Sequence, residues 1–204
     1  MAEIPHDSAC ATNAAGWTVW LTGLSGSGKS TLARGIANHL EKLSLEYELL
    51  DGDELRRGLC QDLGFSKRDR DENVHRIGYL ARLLNKRGII CVVAAIAPYR
   101  KTRAEVRKYF SRFLEVHVDC SLDALIRRDV KGLYRRALAG EISNFSGVTD
   151  PYEPPLAPDL YLNTEVQSQQ RSLELIVAKL ESLQWIPAGG IEHPIFDGHC
   201  PDSC

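Results

Sequence analysis

The run Gly23-Leu24-Ser25-Gly26-Ser27-Gly28-Lys29-Ser30 concentrates more chemistry than any other stretch of this chain, because it fits the phosphate-loop pattern G-x-x-x-x-G-K-[ST]. Glycines let successive backbone N–H groups turn inward around a phosphate. The helix that follows adds partial positive charge at its amino end. Lys29 is then placed to reach the outer phosphates, and the Ser30 hydroxyl to hold magnesium. A mostly apolar, β-favouring stretch from Trp17 to Thr22 precedes the loop, and a helical pattern through Leu32, Ile36, Leu40 and Leu43 follows it. Strand, loop and helix are the context this motif requires.

Such a loop serves kinases, ATPases and GTPases alike, so its surroundings must choose. A GTPase carries N-K-x-D, but Asn85-Lys86 is followed by Arg87 and Gly88. Asp129-Val130-Lys131-Gly132 mimics D-x-x-G, yet it follows a helix far downstream. After a second strand, Tyr47 to Leu50, comes Asp51-Gly52-Asp53-Glu54-Leu55-Arg56-Arg57, with carboxylates and arginines at the sheet edge that faces the loop. Phosphoryl transfer needs an acceptor hydroxyl held in line, charge neutralised on the equatorial oxygens and a group to take a proton. Asp53 could take that proton or contact magnesium, with Asp51 as its partner; solvated loop acids are the plainer alternative. Arg70 and Asn73, three residues apart, share one side near the amino end of a helix. Val74, Ile77, Ala81 and Leu84 supply that helix's core stripe. On spacing alone, Arg70 and Asn73 suit an anion site or a solvated face, and Phe65 suits core or a substrate platform.

The elements that must position these groups alternate. Beyond the two strands and first helix, the pattern predicts a helix over Arg70 to Arg87 capped by Ser66, an apolar strand from Ile89 to Ile96 and another from Phe113 to Val118. A helix from Ser121, a short strand from Leu160 to Leu162 and a closing helix from Leu173 to Leu183 complete it. This is an α/β fold of three layers, a parallel sheet flanked by helices, with its ligand crevice at the strand carboxyl ends. Residues 131–158 interrupt the alternation with glycines, prolines and charged and aromatic residues, which predicts a mobile lid. At 204 residues the chain suits one domain, 16–187, with a flexible leader over 1–15 and a flexible tail over 188–204. Lys plus Arg number 25 against 27 acids, so no global basic field gathers nucleic acid. No stretch has the apolar length of a membrane span, and the opening lacks targeting character, which points to the cytoplasm. Six scattered cysteines demand no disulfides.

Together GLSGSGKST, DGDELR, LGFSKRDRDEN, AIAPYR and RDVKGLYRRALAGEISNFSGVTDPYEPP resemble the successive motifs of adenylyl-sulfate kinases, from about Gly16 to Ile186. The last string is the most specific, since the phosphate loop is widely shared. The resemblance implies the P-loop fold and transfer of the ATP γ-phosphoryl to the 3′-hydroxyl of adenylyl sulfate, with magnesium as cofactor. It assigns ATP to Gly23, Leu24, Ser25, Gly26, Ser27, Gly28, Lys29, Ser30, Thr31 and Arg128, and catalysis to Lys29 and Asp53. Magnesium goes to Ser30 and Asp53. The substrate goes to Asp53, Arg56, Phe65, Arg70, Asn73, Ile96, Lys131 and Phe145, with Phe65 and Phe145 sandwiching its adenine. Planar guanidinium forks suit a phosphosulfate.

Three positions depart from the family pattern. Ala97 stands where a serine, considered as a phosphoryl carrier, is common; without a hydroxyl it leaves direct in-line transfer as the route. Glu54 stands where Asn is usual, and Arg57 is also atypical. The resemblance further implies a homodimer and a functional link to an ATP sulfurylase. His193, His199, Cys200 and Cys204 make a zinc site in the tail conceivable. Another small-metabolite P-loop kinase, or a silent nucleotide-binding partner of a sulfurylase, are the rival readings.

Overall fold

A computed structural model describes residues 16–189. The leader and nearly all of the tail, including its His and Cys cluster, lie outside the described residues. Five parallel strands, β1 (Thr18–Thr22), β2 (Tyr47–Asp51), β3 (Ile90–Ala94), β4 (Phe113–Asp119) and β5 (Leu160–Asn163), form one sheet in the order β2-β3-β1-β4-β5. All five residues of β1 are buried, as a central parallel strand covered on both faces requires. Because side chains alternate across a strand, Val19 and Leu21 face one side and Trp20 the other. The first pair joins Leu32, Ile36 and Leu40 of α1 (Lys29–Lys42) and Ile176 and Leu180 of α7 (Gln169–Ser182). Trp20 instead joins Val74, Ile77 and Ala81 of α3 (Lys67–Asn85). With Val106 of α4 (Arg100–Arg107) this makes the second core, so the layers are helix, sheet, helix.

Register decides where the site falls. Leu21 pairs with Ala94 and Val116, and Asp51 with Ala94, so β1, β2, β3 and β4 deliver their carboxyl ends to one edge. The phosphate loop springs from that edge. Gly23 has room for no side chain, because a Cβ there would lie 2.2 Å from the Val118 carbonyl oxygen, and Gly28 starts α1 at φ 98.

The helix beginning at Arg70 in the sequence pattern starts at Lys67, capped by Ser66 Oγ, which accepts from the Asp69 N–H at 3.2 Å. β3 ends at Ala94 rather than Ile96, because residues 95–99 turn out of the sheet and Ala97 sits at φ 44. α4 was not foreseen, since its eight residues include five charged ones and only Thr102, Arg103 and Val106 are buried. Short helices α2 (Gly52–Leu55), α5 (Leu122–Arg128) and α6 (Leu133–Leu138) complete the order, α6 lying inside the predicted lid. Cys60, Cys91 and Cys120 are buried free thiols.

The 131–158 segment divides in two. Its first part carries α6, held at Tyr134, whose hydroxyl donates to the Ser25 carbonyl at 2.7 Å. Its return arm is tied to the body repeatedly. Asp150 accepts from the Tyr99 hydroxyl at 2.7 Å and lies 3.6 Å from Arg70, and the Glu153 N–H donates to the Pro98 carbonyl at 2.8 Å.

Candidate active site

One cleft of about 570 Å³ opens at the carboxyl edge of the sheet. The phosphate loop, the turn after β2, the start of α3, the residues after β3 and Val130 and Lys131 line it. Seven of the eight residues expected to touch substrate lie in this wall: Asp53, Arg56, Phe65, Arg70, Asn73, Ile96 and Lys131.

Lys29 is 8% exposed. Burial pushes its amine down to about 8, against the opposing pull of Asp53. Its ammonium donates to the Leu24 carbonyl of its own loop at 2.7 Å. Beside it, Ser30 Oγ donates to Asp51 Oδ2 at 2.6 Å. The carboxylate beside Ser30 is thus that of Asp51, at the end of β2, whereas Asp53, the carboxylate expected with Ser30, is drawn to Lys131 by an ion pair across the cleft mouth. Asp51 also caps α2 by accepting from the Asp53 N–H at 2.9 Å, which fixes its carboxylate on the cleft side.

The second half of the cleft is cationic and aromatic. The Arg56 guanidinium lies 4.6 Å from the centre of the Phe65 ring and donates to the Gly64 carbonyl at 2.9 Å. Arg70, 7% exposed, donates to the Phe65 carbonyl at 3.0 Å, to Ser146 Oγ at 2.9 Å and to the Asn144 carbonyl. Three of its five N–H groups are thereby engaged, two of them with the lid's return arm. Asn73 is equally buried, and its Oδ1 is without a partner among the described residues. Phe65 remains 56% exposed, a ring face available to a planar ligand.

Within the phosphate loop, Gly23, Leu24 and Ser27 lie behind the cleft wall, and outside the loop two expected ligands lie elsewhere. Phe145 is absent from the cleft wall and meets the ring of Tyr134 edge-on at 5.1 Å in a small cluster with Leu24 and Val148, so it forms no sandwich with Phe65 here. Arg128 donates to the Thr164 carbonyl at 3.0 Å and lies 3.4 Å from Cys120 Sγ, again outside the cleft wall. Proximity in sequence to a lid cannot reveal which face of it a ring presents.

Sequence reasoning also missed Arg103. It is 6% exposed and donates to the Ala97 carbonyl at 2.6 Å, the Glu153 carbonyl at 2.7 Å and the Glu115 carboxylate at 3.0 Å. Only its placement on an otherwise unforeseen helix marks it out.

A parallel sheet with a lysine-bearing phosphate loop at its edge, facing the arginine- and aromatic-lined half of the same cleft, defines a P-loop phosphotransferase. Comparison narrows the class. Residues 15–163 match the family model for adenylylsulphate kinase. The adenylyl-sulfate kinase of Chloroflexus aurantiacus is 54% identical over 172 residues, 84% of this chain and 92% of that one. A probable bifunctional SAT/APS kinase of Sorangium cellulosum is 49% identical over 86% of this chain but 30% of its own length. The Mycobacterium tuberculosis APS kinase, solved in complex with AMPPNP and APS, superposes with a TM-score of 0.78 at 44% identity, over 81% of this chain and 98% of that one. The chain belongs to the adenylyl-sulfate kinase family.

Proposed function

We propose that this chain transfers the γ-phosphoryl group of ATP to the 3′-hydroxyl of adenylyl sulfate, giving 3′-phosphoadenylyl sulfate and ADP. The observation that carries this reading is the union in one cleft of Lys29 and Ser30 with Arg56, Phe65, Arg70 and Asn73. In the loaded site the Lys29 ammonium leaves the Leu24 carbonyl for the ATP phosphates, and the loop's N–H groups hold their oxygens. Phe65 offers its exposed face to the adenine of the acceptor, Arg56 and the remaining N–H groups of Arg70 face the phosphosulfate, and Asn73 Oδ1 accepts from the sugar. Closure of the lid would bring Phe145 to the other side of that adenine.

Ser30 and Asp51 fit magnesium: a hydroxyl and a carboxylate, both hard oxygen donors, stand 2.6 Å apart beside the loop. Among the described residues no group of three or more His, Cys, Asp or Glu could hold a metal, in keeping with an ion that shares its shell with phosphates and water. When bound, magnesium neutralises charge on the phosphates. Asp53 orients the acceptor hydroxyl and takes its proton once Lys131 has moved to the transferring phosphoryl group. Ala97 has no hydroxyl to phosphorylate, so transfer is direct and in line.

No helix among the described residues is long and apolar enough to cross a membrane, and a cytoplasmic site of action accords with the soluble substrates. The bifunctional relative supports a link to a sulfurylase that supplies adenylyl sulfate. A homodimer is the assembly proposed, and light scattering decides it.

The deciding test is ADP release with ATP, magnesium and adenylyl sulfate, beside a control lacking adenylyl sulfate and a Lys29→Ala variant. Release is expected only with adenylyl sulfate, and to collapse about a hundredfold or more in the variant, the scale of losing an oriented phosphate contact. ATP binding without any acceptor-dependent release would overturn the reading.

A further inference from the structure

Between β3 and α4 the chain makes a turn whose carbonyls are each held from a different element. The Ile96 carbonyl accepts from Thr22 Oγ1 at 2.6 Å, that of Ala97 from Arg103 Nη1 at 2.6 Å, and that of Pro98 from the Glu153 N–H at 2.8 Å. Ile96, Ala97 and Pro98 all line the cleft. At the middle of this turn Ala97 has φ 44, a conformation L residues rarely adopt. Ala97 is 3% exposed, so it is packed in this conformation rather than solvated. Such a backbone persists where its surroundings over-determine it, and it marks a place where geometry serves function.

We infer that Arg103 is a positioning residue for the acceptor: by gripping the Ala97 carbonyl it holds that residue at positive φ and so sets the wall against which the acceptor rests. The inference rests on the acceptor reading above. Arg103 is suited to this because its planar fork serves several acceptors at once. Nη1 goes to Ala97, Nη2 to the Glu153 carbonyl and Nε to Glu115 on β4, which anchors the fork to the sheet. The same guanidinium thus ties the cleft wall to the lid's return arm, whose Tyr152 ring lies 5.9 Å away. Arg103 touches neither the phosphate loop nor the predicted anion ligands, and its effect falls on the acceptor rather than on ATP.

The test uses position 97 as the reporter. Arg103→Met is made in the natural background and in Ala97→Gly, where glycine occupies positive φ without penalty and needs no grip. In the natural background kcat/KM for adenylyl sulfate is expected to fall about tenfold while KM for ATP moves less than about twofold, and in the Ala97→Gly background the same substitution is expected to cost about threefold or less. Equal losses in both backgrounds, or equal changes for ATP and acceptor, would reduce Arg103 to a structural anchor and sink the inference. If Arg103→Met does not fold, Arg103→Lys is compared in the same two backgrounds, with the same outcomes deciding. Hydrogen exchange at the amide of position 97 is followed alongside: it should quicken in Arg103→Met and quicken less when Ala97→Gly is also present. That readout stands without turnover, so a wild type inactive on adenylyl sulfate would sink the acceptor reading and leave the grip on position 97 separately decided.

Discussion

His117 lies inside β4, 5% exposed, its ring stacked on Tyr152 at 6.0 Å and edge-on to Tyr161 at 5.6 Å. Burial lowers its pKa from 6.5, with Arg103 adding to the shift and Asp119 opposing it. A base whose folded pKa is depressed binds protons more readily when unfolded, so its contribution to stability is full above 6.5 and declines as pH falls through and below it. His39, lowered by burial too, acts in the same sense. The thermal midpoint is therefore expected to fall on acidification below 6.5, and His117→Phe, which keeps a ring and removes the titration, should flatten that fall; melts across the pH range in both proteins check it. At the same scale Asp51→Asn, which leaves Ser30 beside a neutral amide, is expected to raise the magnesium concentration needed for half-maximal turnover about tenfold or more, measured by magnesium titration. The P-loop residues were legible from sequence because their spacing is itself the mechanism. Asp51 was only half legible: two carboxylates separated by one glycine both look available, and only the direction in which β2 ends puts the first against Ser30.

Among the elements, α3 and α4 pack unusually close at Gly78, where an added Cβ would lie 2.5 Å from Val106 Cγ1. In an exposed helix Gly→Ala gains about 1 kcal/mol. Here Val106 is buried and β-branched, which restricts its χ1 in a helix, so overpacking of about 1–3 kcal/mol should outweigh the gain. Gly78→Ala is thus expected to be net destabilising, and urea melts give the sign. The lid segment yields a second expectation. Its first part, with Leu138 59% exposed, has few ties, whereas residues 144–154 are bound to Arg70, Tyr99, Pro98 and Arg103. Amides over 131–143 should exchange fast in the empty protein and slow when ATP and adenylyl sulfate are added together, while those over 144–154 are protected already. The sequence pattern located the whole interruption through its glycines and prolines but could not divide it, because the anchors come from residues fifty or more positions away. α4 escaped for a related reason: an eight-residue helix rich in charge shows no periodic apolar face, and its buried Arg103 is satisfied by partners that only the fold supplies.

At the scale of the whole molecule, the site draws on β1, β2, α3, the β3–α4 turn and the lid, so its ligands bind the native state alone. Each is expected to add about 2.7 kcal/mol of stability at a hundredfold excess over its Kd. Calorimetric melts should show the ATP increment vanish in Lys29→Ala while the acceptor's largely remains. The layered architecture was legible from alternation of strands and helices; the strand order was not, since nothing local tells β1 that its neighbours are β3 and β4. That order has a temporal consequence. The fully buried β1 precedes both of its partners, which begin at Cys91 and Phe113, so roughly seventy to ninety-five residues beyond it must emerge before its two edges are covered. Until then the nascent chain carries an unpaired, aggregation-prone strand, and the phosphate loop that follows it has no finished sheet edge to rest on before β4 has been made.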